Sequence, residues 1–193
     1  MFTPDFYRSH EDYWLQHTFS HVSECQTQFD FRTSIDSWFG YLRGGAFLSR
    51  NGRPHWFNAE QLVNPPKRLE ATRSMHFISN KALAIIESDL RPANLVKDHA
   101  VPCLVLLREL KQMRPTTKGE VERFLKDKYR VGVITRDEDR ALNLCGLRQA
   151  MPPHDGLLAR YVAAKISGVE PESPTRTYGP RERCGNWRCP VCI

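Results

Sequence analysis

Arg130-Val131-Gly132-Val133-Ile134-Thr135-Arg136-Asp137-Glu138 is the stretch on which the fold turns. Val131, Val133 and Ile134 are β-branched and suit a pleated strand over Arg130–Thr135. Thr135 followed three residues later by Glu138 is a capping box, in which the threonine accepts from the Glu138 amide and the glutamate reaches back. A strand therefore runs straight into a helix, Asp137–Cys145, which carries Leu142 and stops at Gly146, the usual left-handed cap residue. A further helix over Gly156–Ile166 is expected to place Leu158, Tyr161, Val162 and Ile166 toward a core.

Upstream, Thr117-Lys118-Gly119-Glu120 is another capping box, and Val121, Phe124 and Leu125 of its helix face inward. Leu106, Leu107, Leu110 and Met113 form an apolar stripe on a helix over Leu104–Met113, closed by Pro115. An extended segment, Asn94–Val101, precedes it. Ser79 is an N-cap for a helix over Asn80–Leu90 that Pro92 ends. Asn51-Gly52, flanked by Ala46-Phe47-Leu48 and His55-Trp56-Phe57, marks a β-hairpin within Tyr41–Phe57. Asp12–Gln28, rich in aromatics and histidine, is read as one helix or more.

These elements predict an α+β class, mainly helical with small β-hairpins. One globular domain is expected over residues 1–168, split into a helical and hairpin part (1–93) and a second part (94–168). Pro171, Pro174, Gly179, Pro180 and Gly185 mark residues 169–193 as an irregular tail. With 193 residues, 40% hydrophobic and 26% charged, the composition is that of a folded chain and not of a disordered one. No apolar run approaches the roughly 18 residues that cross a bilayer. Asp5, Arg8, Glu11, Asp12 and Glu24 interrupt any signal-peptide core, so a cytoplasmic location is expected.

Six cysteines are unevenly spaced. Cys25, Cys103 and Cys145 read as small buried hydrophobes and are assigned no chemistry. Cys189-Pro190-Val191-Cys192, with Cys184 nearby, has the spacing of a metal-binding turn. Zinc, a reduced tail and a redox pair all remain open there, and zinc would need a fourth ligand from elsewhere, Cys145 and His154 among the candidates.

Asp98-His99-Ala100-Val101-Pro102 carries the chemistry. An Asp-His pair ends a short extended segment, and a strand and capped helix follow. This resembles the HNH, or ββα-metal (His-Me finger), nuclease motif over about Lys97–Leu147. The resemblance implies a ββα-metal-like unit within residues 94–168 and assigns His99 as general base on a water. It also implies that Asp98 helps bind a divalent cation, Mg²⁺ or Mn²⁺, with Asp139 and Asn143 as further oxygen ligands and Glu138 already engaged in its cap. The usual Asn and His of the later signature positions are not plainly present, and two helices replace a shorter loop.

Phosphodiester hydrolysis needs a base, a Lewis acid and a positive surface. The net charge is +6, and Lys97–Arg148 holds twelve basic against eight acidic residues. Lys97, Arg108, Lys111, Arg136 and Arg140 are the candidate nucleic-acid contacts. Two functions are thus expected to compete. One is a metal-dependent nuclease. The other is a non-catalytic basic domain that binds nucleic acid or a protein partner, with or without a zinc-bound tail.

Overall fold

The computed structural model describes residues 4–23, 28–42, 75–88, 94–153 and 156–170. In chain order the elements are α1 (Pro4–Ser23), α2 (Gln28–Leu42), β1 (Phe77–Ser79), α3 (Asn80–Glu87), β2 (Leu95–His99), α4 (Cys103–Met113), α5 (Lys118–Lys128), β3 (Val131–Thr135), α6 (Arg136–Leu144), α7 (Ala159–Ala163) and β4 (Gly168–Val169). The class is α+β and mainly helical.

The four strands form one sheet in the order β2-β3-β1-β4. β3 runs parallel to β1 and antiparallel to β2, with Leu95 opposite Thr135 and His99 opposite Val131. Every position of β3 is buried, as expected of an inner strand covered on both faces. Side chains alternate across it: Val131 and Val133 enter one apolar cluster and Ile134 the other. Gly132 faces the backbone of β1, and a Cβ there would lie 2.7 Å from the Phe77 carbonyl oxygen. Only glycine allows the two strands this approach.

Helices cover both faces. Residues of α1 to α5 fill the first cluster with Val131 and Val133. In α4, Cys103, Leu106, Leu107 and Leu110 are buried, the i, i+3, i+4, i+7 stripe of a core-facing helix. In α2, Phe31, Ile35, Trp38 and Phe39 at i, i+4, i+7 and i+8 line one face in the same way, each no more than 2% exposed. On the other face, Leu142 of α6 and Tyr161 of α7 pack with Phe77, Ala100, Ile134 and Ile166. The Phe77 and Tyr161 rings stack at 4.6 Å.

Both capping boxes form. The second is also a tertiary contact. Glu138, 5% exposed, accepts from the Thr135 amide at 2.8 Å and from the Ser79 hydroxyl at 2.6 Å. Ser79 in turn caps α3 by accepting from the Ala82 amide at 3.1 Å, so one carboxylate holds two helix starts together.

The aromatic segment is helical as expected, with α1 reaching Ser23 and α2 starting at Gln28. The structure departs from the sequence expectations in three places. β1 is a strand too short, at three residues, for any periodicity to announce it. The helix expected over Gly156–Ile166 is cut to five residues, because Lys165 adopts a left-handed conformation at φ 56° and turns the chain back. Val162 is consequently 73% exposed, and residues 168–169, expected to be at the tail boundary, pair with β1 as β4. Tyr41 and Leu42 end α2, while the rest of the expected hairpin, through Phe57, and the tail cysteines Cys184, Cys189 and Cys192 lie outside the described residues. Among the described residues no helix is long and apolar enough to cross a membrane.

Candidate functional site

Asp98 and His99 are consecutive residues of the edge strand β2, and a strand sends consecutive side chains to opposite faces. That alternation decides what each can meet.

His99 faces α2, α4 and the end of α5. Its Nε2 lies 2.7 Å from Asp36 Oδ1. The Tyr129 hydroxyl donates to the same oxygen at 2.7 Å, and the Lys97 ammonium donates to Oδ2. Arg32, one helical turn before Asp36, approaches Oδ2 at 3.7 Å from a side chain that is half exposed. Cys103, the first residue of α4, is near enough to act on the imidazole electrostatically. Asp36, His99 and Tyr129 are all buried.

Burial works against every charge in this cluster, yet the pairing prevails for Asp36 and His99. Desolvation alone would raise the Asp36 carboxyl, but the His99 and Lys97 cations hold it well below the usual carboxylate range. Desolvation likewise pushes His99 down, while Asp36 and then Cys103 pull it up to about 9. His99 is therefore an imidazolium at neutral pH. Lys97 is lowered by burial, which Asp36 opposes. Tyr129 is raised well above its ordinary value by burial and by the adjacent Asp36 charge.

Asp98 faces α6 and α7. Its Oδ2 accepts from Tyr161 at 3.0 Å and from an Arg160 guanidinium nitrogen at 3.3 Å. Arg160 is itself 2% exposed, donating also to the Leu147 carbonyl at 2.7 Å and to the His99 carbonyl. Burial raises the Asp98 carboxyl and Arg160 opposes the rise. Asp139, in the first turn of α6, is close enough for its charge to raise Asp98 further.

The expected cation site is therefore not assembled. Asp98 and Asp139 share a face, but His99 points away from both, and Asn143 is exposed on the flank of α6. The donors do not fit Mg²⁺ or Mn²⁺. His99 is protonated and bonded through Nε2, so it offers neither a lone pair to a metal nor a basic nitrogen to a water. Asp98 Oδ2 is already bound by two donors. Among the described residues no group of three or more His, Cys, Asp or Glu side chains is arranged to hold a metal.

The expected nucleic-acid contacts also divide. Lys97 is buried against Asp36 and is no surface cation. Arg108 and Lys111 lie on α4, in the layer that covers one face of the sheet, whereas Arg136 and Arg140 lie on α6 in the opposite layer. Arg140 is paired with Asp137 at 3.1 Å.

Sequence reading missed Asp36, Tyr129 and Arg160. One signal was present: Asp36 interrupts Ile35-Asp36-Ser37-Trp38-Phe39, and an acid inside an apolar helix stripe needs a buried partner. Comparison with protein-family models, curated proteins and solved structures finds no match to this chain.

Proposed function

We propose that this chain is a non-catalytic nucleic-acid-binding domain whose phosphate-contacting surface is the solvent side of α4 and its junction with α5. The observation that carries this reading is a basic ridge. Arg108 and Lys111 lie one turn apart on α4, and Arg114, the left-handed residue that ends the helix, extends the basic run past it. Arg108 and Arg114 are exposed and Lys111 is half-buried. None of the three forms an ion pair among the described residues. The ridge leads into a shallow groove lined by Met113, Arg114, Glu120, Arg123, Phe124 and Asp127.

The groove's chemistry supports a single strand better than a simple anion. Met113, 46% exposed, and Phe124 offer an apolar surface between two guanidinium groups, a combination on which bases stack while arginines reach phosphates. Glu120 is turned to its own helix start, where the Thr116 and Thr117 amides hold its carboxylate at 2.7 and 3.1 Å. The non-catalytic half of the reading rests on His99, whose proton is held by Asp36, leaving no base for phosphodiester hydrolysis.

A labelled single-stranded oligonucleotide titrated across a salt series tests this reading, with plasmid cleavage in Mg²⁺ and Mn²⁺ followed in parallel. The expected result is salt-dependent binding without cleavage. Arg108→Glu with Arg114→Glu should weaken it at least about tenfold and flatten the salt slope. Absence of binding at low salt would refute the proposal. So would metal-dependent cleavage that His99→Ala abolishes.

A further inference from the structure

His17 and His21 stand one turn apart on α1, and their ring centroids lie 4.3 Å apart. A spacing of i, i+4 puts two side chains on one face of a helix, one above the other. That is the arrangement in which a single helix offers two imidazoles to one metal ion. His17 is half-buried and His21 is 4% exposed, so solvent reaches the pair from the side of His17.

The hydrogen bonds around His17 fix which of its nitrogens carries the lone pair. Ser34 of α2 donates its hydroxyl proton to the Asp30 carbonyl at 3.0 Å. A hydroxyl has a single proton, so toward His17 Nδ1, 3.1 Å away, the same oxygen accepts. Nδ1 therefore bears the ring proton, and Nε2 of the neutral imidazole carries the lone pair. A ligating histidine is held in just this manner, one nitrogen donating to a neighbouring acceptor while the other is presented to the metal. His21 meets His17 edge to face, with the ring planes 73° apart. Rotation about its Cβ–Cγ bond, a broad and two-fold torsion, turns a nitrogen toward the same point. His21 also stands in the last turn of α1, where the carbonyl end of a helix favours a cation.

We infer that His17 and His21 form a two-histidine site for a divalent transition metal of the zinc class, with His17 ligating through Nε2 and Ser34 acting as its positioning residue. Imidazole nitrogens suit Zn²⁺, Cu²⁺ and Ni²⁺ rather than the oxygen-seeking Mg²⁺ or Mn²⁺. The helix supplies two ligands and water completes the shell, so the ion is exchangeable, unlike one enclosed by four side chains. The site shares no residue with the α4 ridge or the groove and is independent of the nucleic-acid reading.

Zinc chloride titrated into the full chain, with the histidine ring signals followed by proton–nitrogen NMR, tests the site residue by residue, so zinc taken up by cysteines elsewhere does not register. Before zinc is added, His17 should show the tautomer protonated on Nδ1. On addition, the rings of His17 and His21 should shift together at one midpoint, well before those of His10 and His76. His17→Gln should weaken the response of His21 at least about tenfold, and Ser34→Ala should cost about 10–100-fold in zinc affinity, the range for losing a bond that orients a ligand. Should these variants not fold, the wild-type titration decides alone. A proton on Nε2 of His17, a shift of one ring without the other, or no shift at about 1 mM Zn²⁺ would overturn the inference. So would a His21 response that is unchanged in His17→Gln.

Discussion

Asp36 Oδ1 and His99 Nε2 lie 2.7 Å apart across 63 positions of sequence, and this contact ties α2 to the edge of the sheet. An edge strand has one hydrogen-bonded neighbour, so it depends on its faces for anchorage. β2 is anchored on both: His99 and Lys97 to Asp36 on one side, Asp98 to Arg160 and Tyr161 on the other. The pair of residues that looked like the opening of a metal site thus holds three layers together.

Asp36→Asn should destabilise the protein by about 3–5 kcal/mol, the range for removing one partner of a buried ion pair. The cost comes less from the lost attraction than from leaving Lys97 and His99 as buried cations without a counter-charge. Chemical denaturation of the two proteins at pH 7 measures the difference. A change under about 1 kcal/mol would mean that water reaches the cluster.

Stability should also fall on the alkaline side in a way that His99 controls. Its folded-state value near 9 stands above the ordinary 6.5, so its contribution is complete below about pH 6.5 and disappears as pH rises through 9. That displacement corresponds to roughly 3 kcal/mol. On the acid side the same pair weakens as pH drops below 3.8, because the depressed Asp36 carboxyl is then the group that must be protonated in the unfolded chain. Denaturation midpoints from about pH 2 to 10 should trace this profile, and His99→Gln should flatten the alkaline limb.

Most of the elements were legible because each had a local cause. Two capping boxes, the Leu106, Leu107 and Leu110 stripe on α4 (Met113, expected with them, is 46% exposed) and the β-branched run of β3 need no knowledge of the rest of the chain. β1 and β4 were not legible, since strands of three and two residues owe their existence to β3 and to Gly132 and Gly168, not to their own pattern. The site failed for a related reason. Adjacency in sequence suggested that Asp98 and His99 act together, yet the strand period that the sequence itself predicted separates them, and the partners Asp36, Tyr129 and Arg160 lie 62 to 93 positions away from the residues they hold.

Gly132→Ala tests the closest approach in the sheet. A methyl there would meet the Phe77 carbonyl oxygen at 2.7 Å and the Phe77 Cβ at 3.1 Å, and a backbone atom cannot swing aside as a side-chain tip can. β1 and β3 must part, which should destabilise by about 1–3 kcal/mol. The measurable sign is a lower Tm together with faster amide exchange at Ile78 and Val133 than at α4 positions. An unchanged Tm would show that the β1–β3 spacing is wider than described.

Tyr161→Phe isolates the other anchor. It removes one hydrogen bond, 3.0 Å long, and keeps the ring stacked on Phe77. Asp98 retains Arg160, so the loss should be about 1 kcal/mol, far smaller than for Asp36→Asn. Arg160→Met removes more, because Asp98 then stays buried with only a hydroxyl partner and the Leu147 carbonyl loses its donor. About 3 kcal/mol or more is expected. Comparable effects from the two variants in chemical denaturation would mean that Asp98 is hydrated and that Arg160 acts mainly by packing.

The division of cations between two layers gives the sharpest test of the binding surface. If nucleic acid lies along α4, then Arg108→Glu and Arg136→Glu change net charge identically but affect different faces of the molecule. Long-range attraction is screened within about 8–10 Å at ordinary salt, so a charge in the far layer should matter little. Arg108→Glu should weaken oligonucleotide binding about three- to tenfold at 0.15 M salt, and Arg136→Glu less than twofold. At low salt, where screening relaxes, the two should draw closer. Equal effects at both salt concentrations would indicate non-specific attraction by net charge, and a larger effect from Arg136→Glu would move the surface to α6.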